Sequence, residues 1–402
     1  MTVHDTDDIS PALFDTFPDR AGTGSLKWQR FEDRDILPMW VADMDFVSPP
    51  AVRQALADRV AHGIYGYTIP PAEAETEVIR YLAERHGVAA ETDHLVWLPG
   101  LVQGLNLVCR AAGAPGDGVM VNTPVYPPFL SAPVFSDRER IAVPMMEKAG
   151  AWTFDREAME AAVTPSTRLF LLCNPHNPVG RVFDREELEW LLAFCERHDL
   201  WICADEIHCD LILDEVKHIP FLTLGERARR RTIAFYSPSK TYNQPGLACA
   251  YAVIPDPELR AAFKKVCRGV ITEVNCFGYA GCTAAYRHGE PWRRELICVL
   301  RQNRDSLKAY LAEHHPEVRI PRIEATYLAW LDLRAWDFPH PAAHMEAHGL
   351  SLSNGIDFGG ERGLLRLNFG CPPATLREGL RRLSAALGDG PDVTAPPLPS
   401  QA

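Results

Sequence analysis

Short apolar runs alternate with longer amphipathic stretches between about residue 50 and residue 290. The runs show no strict alternation of polar and apolar positions, which is typical of strands covered on both faces, and the longer stretches have the length of helices. This order of elements predicts an α/β domain with a mostly parallel sheet. We predict its strands at residues 95–98, 118–122, 168–173, 200–204, 232–236 and 248–254.

Local signals place two helices between these strands. Asp184 can cap a helix over residues 184–198, and Glu187 follows three residues later, as in a capping box. The stretch 101–112 directly follows the first strand and is also predicted as a helix. The last strand, 248–254, is reached by a turn rather than a helix, which favours an antiparallel orientation for it.

The pattern changes after Pro291, where a long helical stretch is followed by short strands and further helices. We interpret this part as a smaller α+β lobe. It comprises predicted helices at 292–314, 340–348 and 373–387 and strands at 327–332 and 364–369. The predicted organisation is therefore an irregular segment of residues 1–50 that contributes to the small domain and an active-site loop, a large domain of residues 51–290, a small domain of residues 291–387 and a disordered tail of residues 388–402.

Composition and charge narrow the classes of partner. The net charge of −12 over 402 residues disfavours nucleic acids and anionic membranes. No apolar run approaches about 20 residues, so no membrane span is expected, and the acidic N-terminus lacks the apolar core of a secretory signal. The eleven cysteines lie mostly within apolar runs, which predicts buried free thiols in a reducing cytoplasm. No metal site is expected, because His208 and Cys209 have no second ligand pair at metal spacing.

Polar residues of different chemistry stand at the ends of three predicted strands. Asn177 lies in the loop after the third strand, Asp205 ends the fourth and Lys240 follows the fifth. Ligands of parallel sheets bind at the carboxyl ends of strands. Pyridoxal phosphate (PLP) requires these groups, because a lysine forms a Schiff base with it and an acid pairs with its pyridinium nitrogen. The sequence therefore predicts a PLP site.

The motifs around these residues resemble those of the fold-type I PLP enzymes, the aspartate aminotransferase superfamily. Within that superfamily, residues 37–46 and 62–68 resemble the MalY/PatB branch of cystathionine β-lyase-type carbon–sulfur lyases, and the likeness extends from about Arg20 to Leu387. The resemblance implies the fold-type I architecture, with a seven-stranded type of sheet in the large domain. The shared motifs are N-P-x-N-P-x-G at 174–180, D-E-x-H at 205–208, S-x-x-K at 237–240 and R-x-N-F at 366–369.

The resemblance also implies roles around the cofactor ring. Lys240 would hold PLP and later take the Cα proton of the substrate, while Asp205 would stay ionised against the pyridinium nitrogen. Asn177 would donate to the phenolic oxygen, and Tyr126 would stack on the ring, with packing in a proline-rich turn as its alternative. His208 would lie near the phenolic oxygen or support Asp205, with a purely structural histidine as its alternative.

For the phosphate, the resemblance implies main-chain amides of Val102 and Gln103 at a helix N-terminus and the hydroxyls of Ser237 and Ser239. The arginine that aminotransferases carry eight residues after the lysine is Ala248 here. Tyr65 or Tyr67 from a second subunit of a homodimer is the candidate replacement; the alternative is that both tyrosines only pack at the interface.

For the substrate, the resemblance implies that Arg366 binds the α-carboxylate with help from Asn177, since a guanidinium matches a carboxylate with two parallel hydrogen bonds. The loop that contains Trp40, Val41 and Ala42 is expected to close over the substrate.

The leading hypothesis is β-elimination from cystathionine or another S-substituted L-cysteine, which yields a thiol, pyruvate and ammonia. An aminotransferase on the same scaffold is the alternative, because both reactions begin with the same proton abstraction. The lyase is favoured by residues 40–46 and 62–68 and by the alanine at position 248, where aminotransferases carry an arginine. A regulatory role through binding another protein is a third hypothesis, for which no sequence feature speaks.

Overall fold

The computed structural model describes residues 9–148 and 150–388 of the chain, and a seven-stranded sheet lies at its centre. The strand Ala250–Val253 runs antiparallel to both of its neighbours, and the remaining strands are parallel to one another. The mostly parallel sheet and its antiparallel strand are therefore confirmed. The strand order across the sheet is Leu95–Leu98, Ala250–Val253, Thr232–Tyr236, Trp201–Asp205, Thr167–Cys173, Gly118–Thr123 and Glu139–Pro144.

The edge strand Glu139–Pro144 is the one that the sequence pattern did not reveal. Ile141 and Val143 are buried there, whereas Arg140 and Ala142 are exposed. Because an edge strand is covered on one face only, its buried and exposed residues alternate. The other strands were identified by continuous apolar runs, which this strand lacks. The pairing with Gly118–Thr123 supplies the contacts that fix it.

Helices cover both faces of the sheet. The capping box is confirmed, since the Asp184 side chain accepts from the Glu187 amide at 2.9 Å and Glu187 accepts in return from the Asp184 amide at 2.9 Å. The helices of at least seven residues in this part are Pro50–His62, Ala72–His86, Leu101–Ala111, Pro127–Phe135, Arg156–Ala162, Arg185–Arg197, Pro257–Cys267 and Cys276–His288.

Alternate residues of each central strand enter different hydrophobic clusters. Leu169 and Leu171 pack on one face of the sheet, while Phe170 and Leu172 pack on the other. The helix Leu101–Ala111 lies very close to the first face, because a Cβ atom on Gly104 would stand 2.9 Å from the Phe235 ring. The absence of a side chain at Gly104 therefore sets the position of this helix and of its N-terminus at the strand ends.

The C-terminal part contains a three-stranded antiparallel sheet formed by Leu328–Asp332, Leu364–Asn368 and Ser353–Asn354. The N-terminal segment reaches this part through Leu37–Pro38, which pairs in parallel with Leu350–Ser351. Gly388 belongs to the last helix rather than to the predicted tail, whose remaining residues lie outside the described ones. The helices here are Glu290–His314, Pro341–Ala347 and Pro373–Gly388. The domain boundaries proposed from the sequence stay predictions.

Shorter elements complete the chain. None of the helices within residues 9–148 and 150–388 has the length and apolar character needed to cross a membrane. All eleven cysteines are free and nine of them are buried. The short elements are the helices Leu26–Gln29 and Glu226–Arg229, the hairpin Met146–Lys148 with Ala151–Thr153, and the 3-10 turns Pro11–Phe14, Thr92–His94, Phe221–Leu224, Pro245–Leu247, Arg334–Trp336 and Gly355–Phe358.

Candidate active site

Three adjacent parallel strands bring the lysine, the acid and the asparagine together. Asp205 is the last residue of its strand, Lys240 lies in the turn after Tyr236, and Asn177 lies in the loop after Cys173. All three line one cavity of about 190 Å³ at the carboxyl edge of the sheet. Of the other predicted residues, Ala42, Val102, Tyr126, His208, Ser237, Ser239 and Ala248 also line it.

Asp205 is a buried carboxylate without an ionic partner among the described residues. Its Oδ1 accepts a hydrogen bond from the Ile207 amide at 3.1 Å. Burial disfavours the charged form and raises the pKa of Asp205 to about 7. A cation facing this carboxylate would stabilise its ionised form, which is what the protonated ring nitrogen of PLP would supply.

Lys240 points its amine toward a main-chain carbonyl. Its Nζ donates to the Ala42 oxygen at 2.6 Å, and the Tyr327 hydroxyl donates to the same oxygen at 2.9 Å. Desolvation lowers the pKa of Lys240 to about 8. The neutral amine, which a Schiff base or a general base requires, is therefore accessible close to neutral pH.

Arg366 is a buried cation that faces no carboxylate among the described residues. Its Nη1 donates to Asn177 Oδ1 at 3.0 Å, and its Nη2 donates to the Trp40 oxygen at 2.7 Å and to Ser353 Oγ at 3.2 Å. The guanidinium lies 4.7 Å from the centroid of the Phe358 ring, and burial lowers the pKa of Arg366 to about 10. It remains charged at neutral pH and can bind an entering carboxylate.

A second, larger cavity adjoins the first. It has a volume of about 740 Å³ and shares Ala42, Tyr126 and Lys240 with the smaller one. Arg366 lies on its wall together with Trp40, Val41, Thr123, Ser131 and Phe358. A cavity of this size accommodates a small-molecule ligand, and Lys240 stands where the two cavities meet.

At the other end of the smaller cavity, the helix Leu101–Ala111 begins at Gly100, so its first amides and its dipole can hold a phosphate. The Ser237 hydroxyl already faces two acceptors, the Cys249 oxygen at 2.8 Å and Ser239 Oγ at 2.9 Å. Ser239 is therefore the better hydroxyl donor. Ala248 takes up the left-handed region with φ of 51° and brings no charge.

His208 is buried in the same cavity, and its Nδ1 has no hydrogen-bond partner within the described chain. Burial first, and then the nearby Lys240 and Arg366 cations, lower its pKa to about 3. A neutral imidazole cannot act as the counter-ion of Asp205, but its unpaired ring nitrogen can form a hydrogen bond with a ligand in this cavity.

Three predicted cofactor residues are not among those that line the two cavities, although Val102, next to Gln103, is. Gln103 and Tyr67 are exposed, and Tyr65 is half-exposed with its ring 5.3 Å from that of Phe277. Sequence reasoning in turn assigned no role to Tyr327, Ser353 or Phe358. Tyr327 begins the predicted strand 327–332, but nothing in that segment indicated that its hydroxyl donates to the carbonyl that Lys240 also uses.

The fold and this site identify the class of protein to which the chain belongs. The chain belongs to the aminotransferase class I and II family, whose model matches residues 34–383. It is similar to the cystathionine β-lyase PatB of Bacillus subtilis, with 39% identity over 93% of this chain and 99% of that protein. It is also similar to the protein MalY of Escherichia coli, with 31% identity over 93% of this chain and 98% of that protein.

The chain is also similar to solved structures. The crystal structure of OvoB has a TM-score of 0.91 and 40% identity, covering 94% of this chain and 99% of that one. Cystalysin of Treponema denticola, which contains a PLP cofactor, has a TM-score of 0.90 and 32% identity over 94% of this chain and 98% of that one. The predicted fold type, the cofactor and the likeness to the lyase branch are thereby confirmed.

Proposed function

We propose that this chain is a PLP-dependent carbon–sulfur β-lyase that cleaves cystathionine or another S-substituted L-cysteine to a thiol, pyruvate and ammonia. Bound PLP supplies the electron sink for negative charge at Cα. The observation that carries the proposal is the placement of Lys240 between a cofactor-sized cavity and a larger cavity that holds Arg366. The relatives named as cystathionine β-lyases support the same reaction.

Arg366 orients the substrate. Two parallel hydrogen bonds from its guanidinium to the α-carboxylate would fix the amino acid with its Cα near Lys240. Asn177 holds one edge of the guanidinium, and the Phe358 ring supports its face. Because Arg366 is buried, the pair forms in a desolvated environment in which a charge-assisted bond is strong.

Lys240 moves the proton. In its neutral form, Nζ takes the proton from Cα, while the Ala42 carbonyl holds the resulting ammonium. The thiolate then departs from Cβ into the larger cavity, and the released aminoacrylate reacts with water to give pyruvate and ammonia. With PLP bound, Asp205 would keep its negative charge against the ring nitrogen, and the amides at the start of Leu101–Ala111 would hold the phosphate.

A homodimer with composite active sites is the second part of the proposal. Tyr65 and Tyr67 are exposed on this chain, as are the neighbouring apolar residues Ile64 and Ile69. An opposing subunit would cover these side chains and place a tyrosine hydroxyl near the phosphate, where Ala248 brings no charge. We also infer a cytoplasmic location from the buried free cysteines.

Hybrid dimers test the composite site. A double variant Tyr65→Phe/Tyr67→Phe and the variant Lys240→Ala would each lose activity when pure. When the two are mixed and allowed to exchange subunits, half of the dimers carry one complete site, so about a quarter of the native activity returns for a two-fold symmetric pair. A fully active monomer, or no recovery on mixing two folded variants, contradicts the proposal.

Incubation with cystathionine and PLP tests the reaction itself. The lyase releases pyruvate and thiol in equal amounts, and Lys240→Ala, which still has its carboxylate clamp, releases neither. Amino transfer that depends on an added keto acid and proceeds without thiol release would favour the aminotransferase instead.

A further inference from the structure

Residues 40–46, which we call the bridging loop, contact both cations of the site. Arg366 Nη2 donates to the Trp40 oxygen at 2.7 Å, and Lys240 Nζ donates to the Ala42 oxygen at 2.6 Å. Proton transfer by Lys240 and carboxylate binding by Arg366 thus both depend on main-chain carbonyls that lie two residues apart in one segment. The position of this loop affects both groups at once.

Asn243 attaches the loop to the turn that carries Lys240. Its Oδ1 accepts from the Met44 amide at 2.9 Å, and its Nδ2 donates to the Met44 oxygen at 2.8 Å and the Phe46 oxygen at 2.6 Å. The side chain therefore pairs with the loop as a neighbouring strand would. Asn243 has φ of 50°, in the left-handed region that asparagine tolerates better than most residues.

Asn368 attaches the same loop to the strand that carries Arg366. Its Nδ2 donates to the Val41 oxygen at 2.5 Å and to the Asp43 oxygen at 2.7 Å, and its Oδ1 accepts from the Gly370 amide at 2.8 Å. The carbonyls of residues 40 to 43 are therefore all engaged by donors, alternately by a site cation and by Asn368.

The far end of the loop is held by a buried ion pair. Lys27 Nζ lies 2.6 Å from Asp45 Oδ2, and both side chains are almost completely buried. The Trp28 indole and Arg20 donate to the other oxygen of Asp45 at 3.0 and 2.7 Å. Contacts of this number and depth oppose large movements of the loop.

We propose that the bridging loop is a rigid spacer that sets the separation between the Lys240 amine and the Arg366 guanidinium, and that Asn243 and Asn368 are the positioning residues that hold it. This differs from the closing movement that the sequence led us to expect. Neither asparagine touches substrate in this scheme. Loss of Asn243 displaces the acceptor for Lys240, and loss of Asn368 displaces the acceptor for Arg366.

The first test measures the loop directly. Asn243→Gly keeps the left-handed backbone accessible but removes all three side-chain hydrogen bonds. We expect amide hydrogen exchange in a peptide covering the bridging loop to accelerate by at least about tenfold. Asp199→Gly is the matched control, because Asp199 has φ of 51° and lies exposed on a helix–strand connection away from the site. Unchanged exchange in Asn243→Gly overturns the proposal.

The second test separates positioning from general destabilisation. Because a misplacement of about 1 Å costs up to about 100-fold in rate, we expect kcat to fall 10- to 100-fold in Asn243→Gly with a smaller change in KM. Asn368→Ala should act chiefly on KM, since it loosens the carbonyl that holds the carboxylate clamp. Both variants should still bind PLP. Native kcat and KM in both, or equal losses in Asp199→Gly, contradict the assignment.

The kinetic test rests on the proposed function, whereas the exchange test does not. A wild-type enzyme that releases no thiol from any thioether would refute the lyase, and the contrast in exchange between Asn243→Gly and Asp199→Gly would still decide the role of the loop. If Asn368→Ala does not fold, Asn243→Gly carries both tests alone.

Discussion

Replacement of Arg366 by alanine is the sharpest test of the substrate site. A charge-assisted bidentate pair with the α-carboxylate contributes about 1.5–3 kcal/mol, so kcat/KM should fall roughly 10- to 100-fold. The structure adds a second effect, because Asn177 Oδ1 loses a buried donor, whereas the Trp40 carbonyl keeps the hydrogen bond from Ser353 Oγ. A buried acceptor left unpaired costs about 1–3 kcal/mol of unfolding free energy. Arg366→Lys should recover little activity, since an ammonium cannot reproduce the planar fork.

Activity and stability must be separated in this experiment. Arg138 is a matched control, because it is also buried and, among the residues that the structure describes, donates to main-chain carbonyls alone, at Ala112, Ser136, Arg110 and Gly113. Arg138→Ala should lower the unfolding temperature without changing kcat/KM for cystathionine. Arg366→Ala should lower both and should keep the absorption of bound PLP.

One outcome would refute the reasoning about Arg366. If the alanine variant is folded, retains PLP and cleaves cystathionine as efficiently as Arg138→Ala, the α-carboxylate binds elsewhere. The alignment of the strand Leu364–Asn368 with the carboxylate clamp of the family would then be wrong.

Three further predictions concern the cofactor. PLP-free protein should lose on the order of 4 kcal/mol of unfolding free energy as the pH rises from about 4 to 7, because folding raises the pKa of Asp205 to about 7 and the unfolded chain releases that proton at lower pH. Thermal unfolding of Asp205→Asn should lack this pH dependence of stability. An equal pH dependence in the variant would contradict the prediction. The rate of PLP uptake should rise through about pH 8 as Lys240 becomes neutral, followed by absorbance and borohydride trapping. Gly104→Val should weaken PLP binding measured by titration, because the Phe235 ring would displace the phosphate-binding helix; unchanged affinity would refute this.

The meeting of Asn177, Asp205 and Lys240 at one cavity could be predicted, because each of them stands where a strand ends. Asp205 and Lys240 interrupt apolar runs, and a parallel sheet brings such positions to one edge whatever the intervening sequence. The role of Arg366 could be proposed only from the resemblance, since a single arginine in a buried strand gives no local indication of its function. The contacts of Tyr327 and Asn243 with the bridging loop were not predictable, because they are made to main-chain groups of residues about 200 to 300 positions away.

The bounds of two helices were likewise not predictable from the sequence. Pro50–His62 and Ala72–His86 lay within the predicted alternation of strands and helices, but the pattern did not give their bounds. Of the first helix only Val52 is buried in this chain, and Val60 on the same helix is exposed. Ala55 and Leu56 pack partly buried against the core beside Val52, so the apolar stripe of this helix meets the core at its N-terminal end and solvent at Val60. A second subunit that covers the exposed end would complete the burial of this stripe, which agrees with the proposed dimer.

The outcome of the reaction is decided at the β-carbon rather than by the residues that hold the cofactor. Lys240, Asp205 and Asn177 would serve an aminotransferase equally well, because both reactions begin with removal of the Cα proton. The cavity of about 740 Å³ beside Tyr126 has room for a bulky substituent on that carbon. A sulfur substituent that departs as a thiolate removes the electron pair that amino transfer would need. The choice of elimination therefore lies largely in the substrate, and this chain contributes a cavity with room for the substituent beside Lys240 and Arg366.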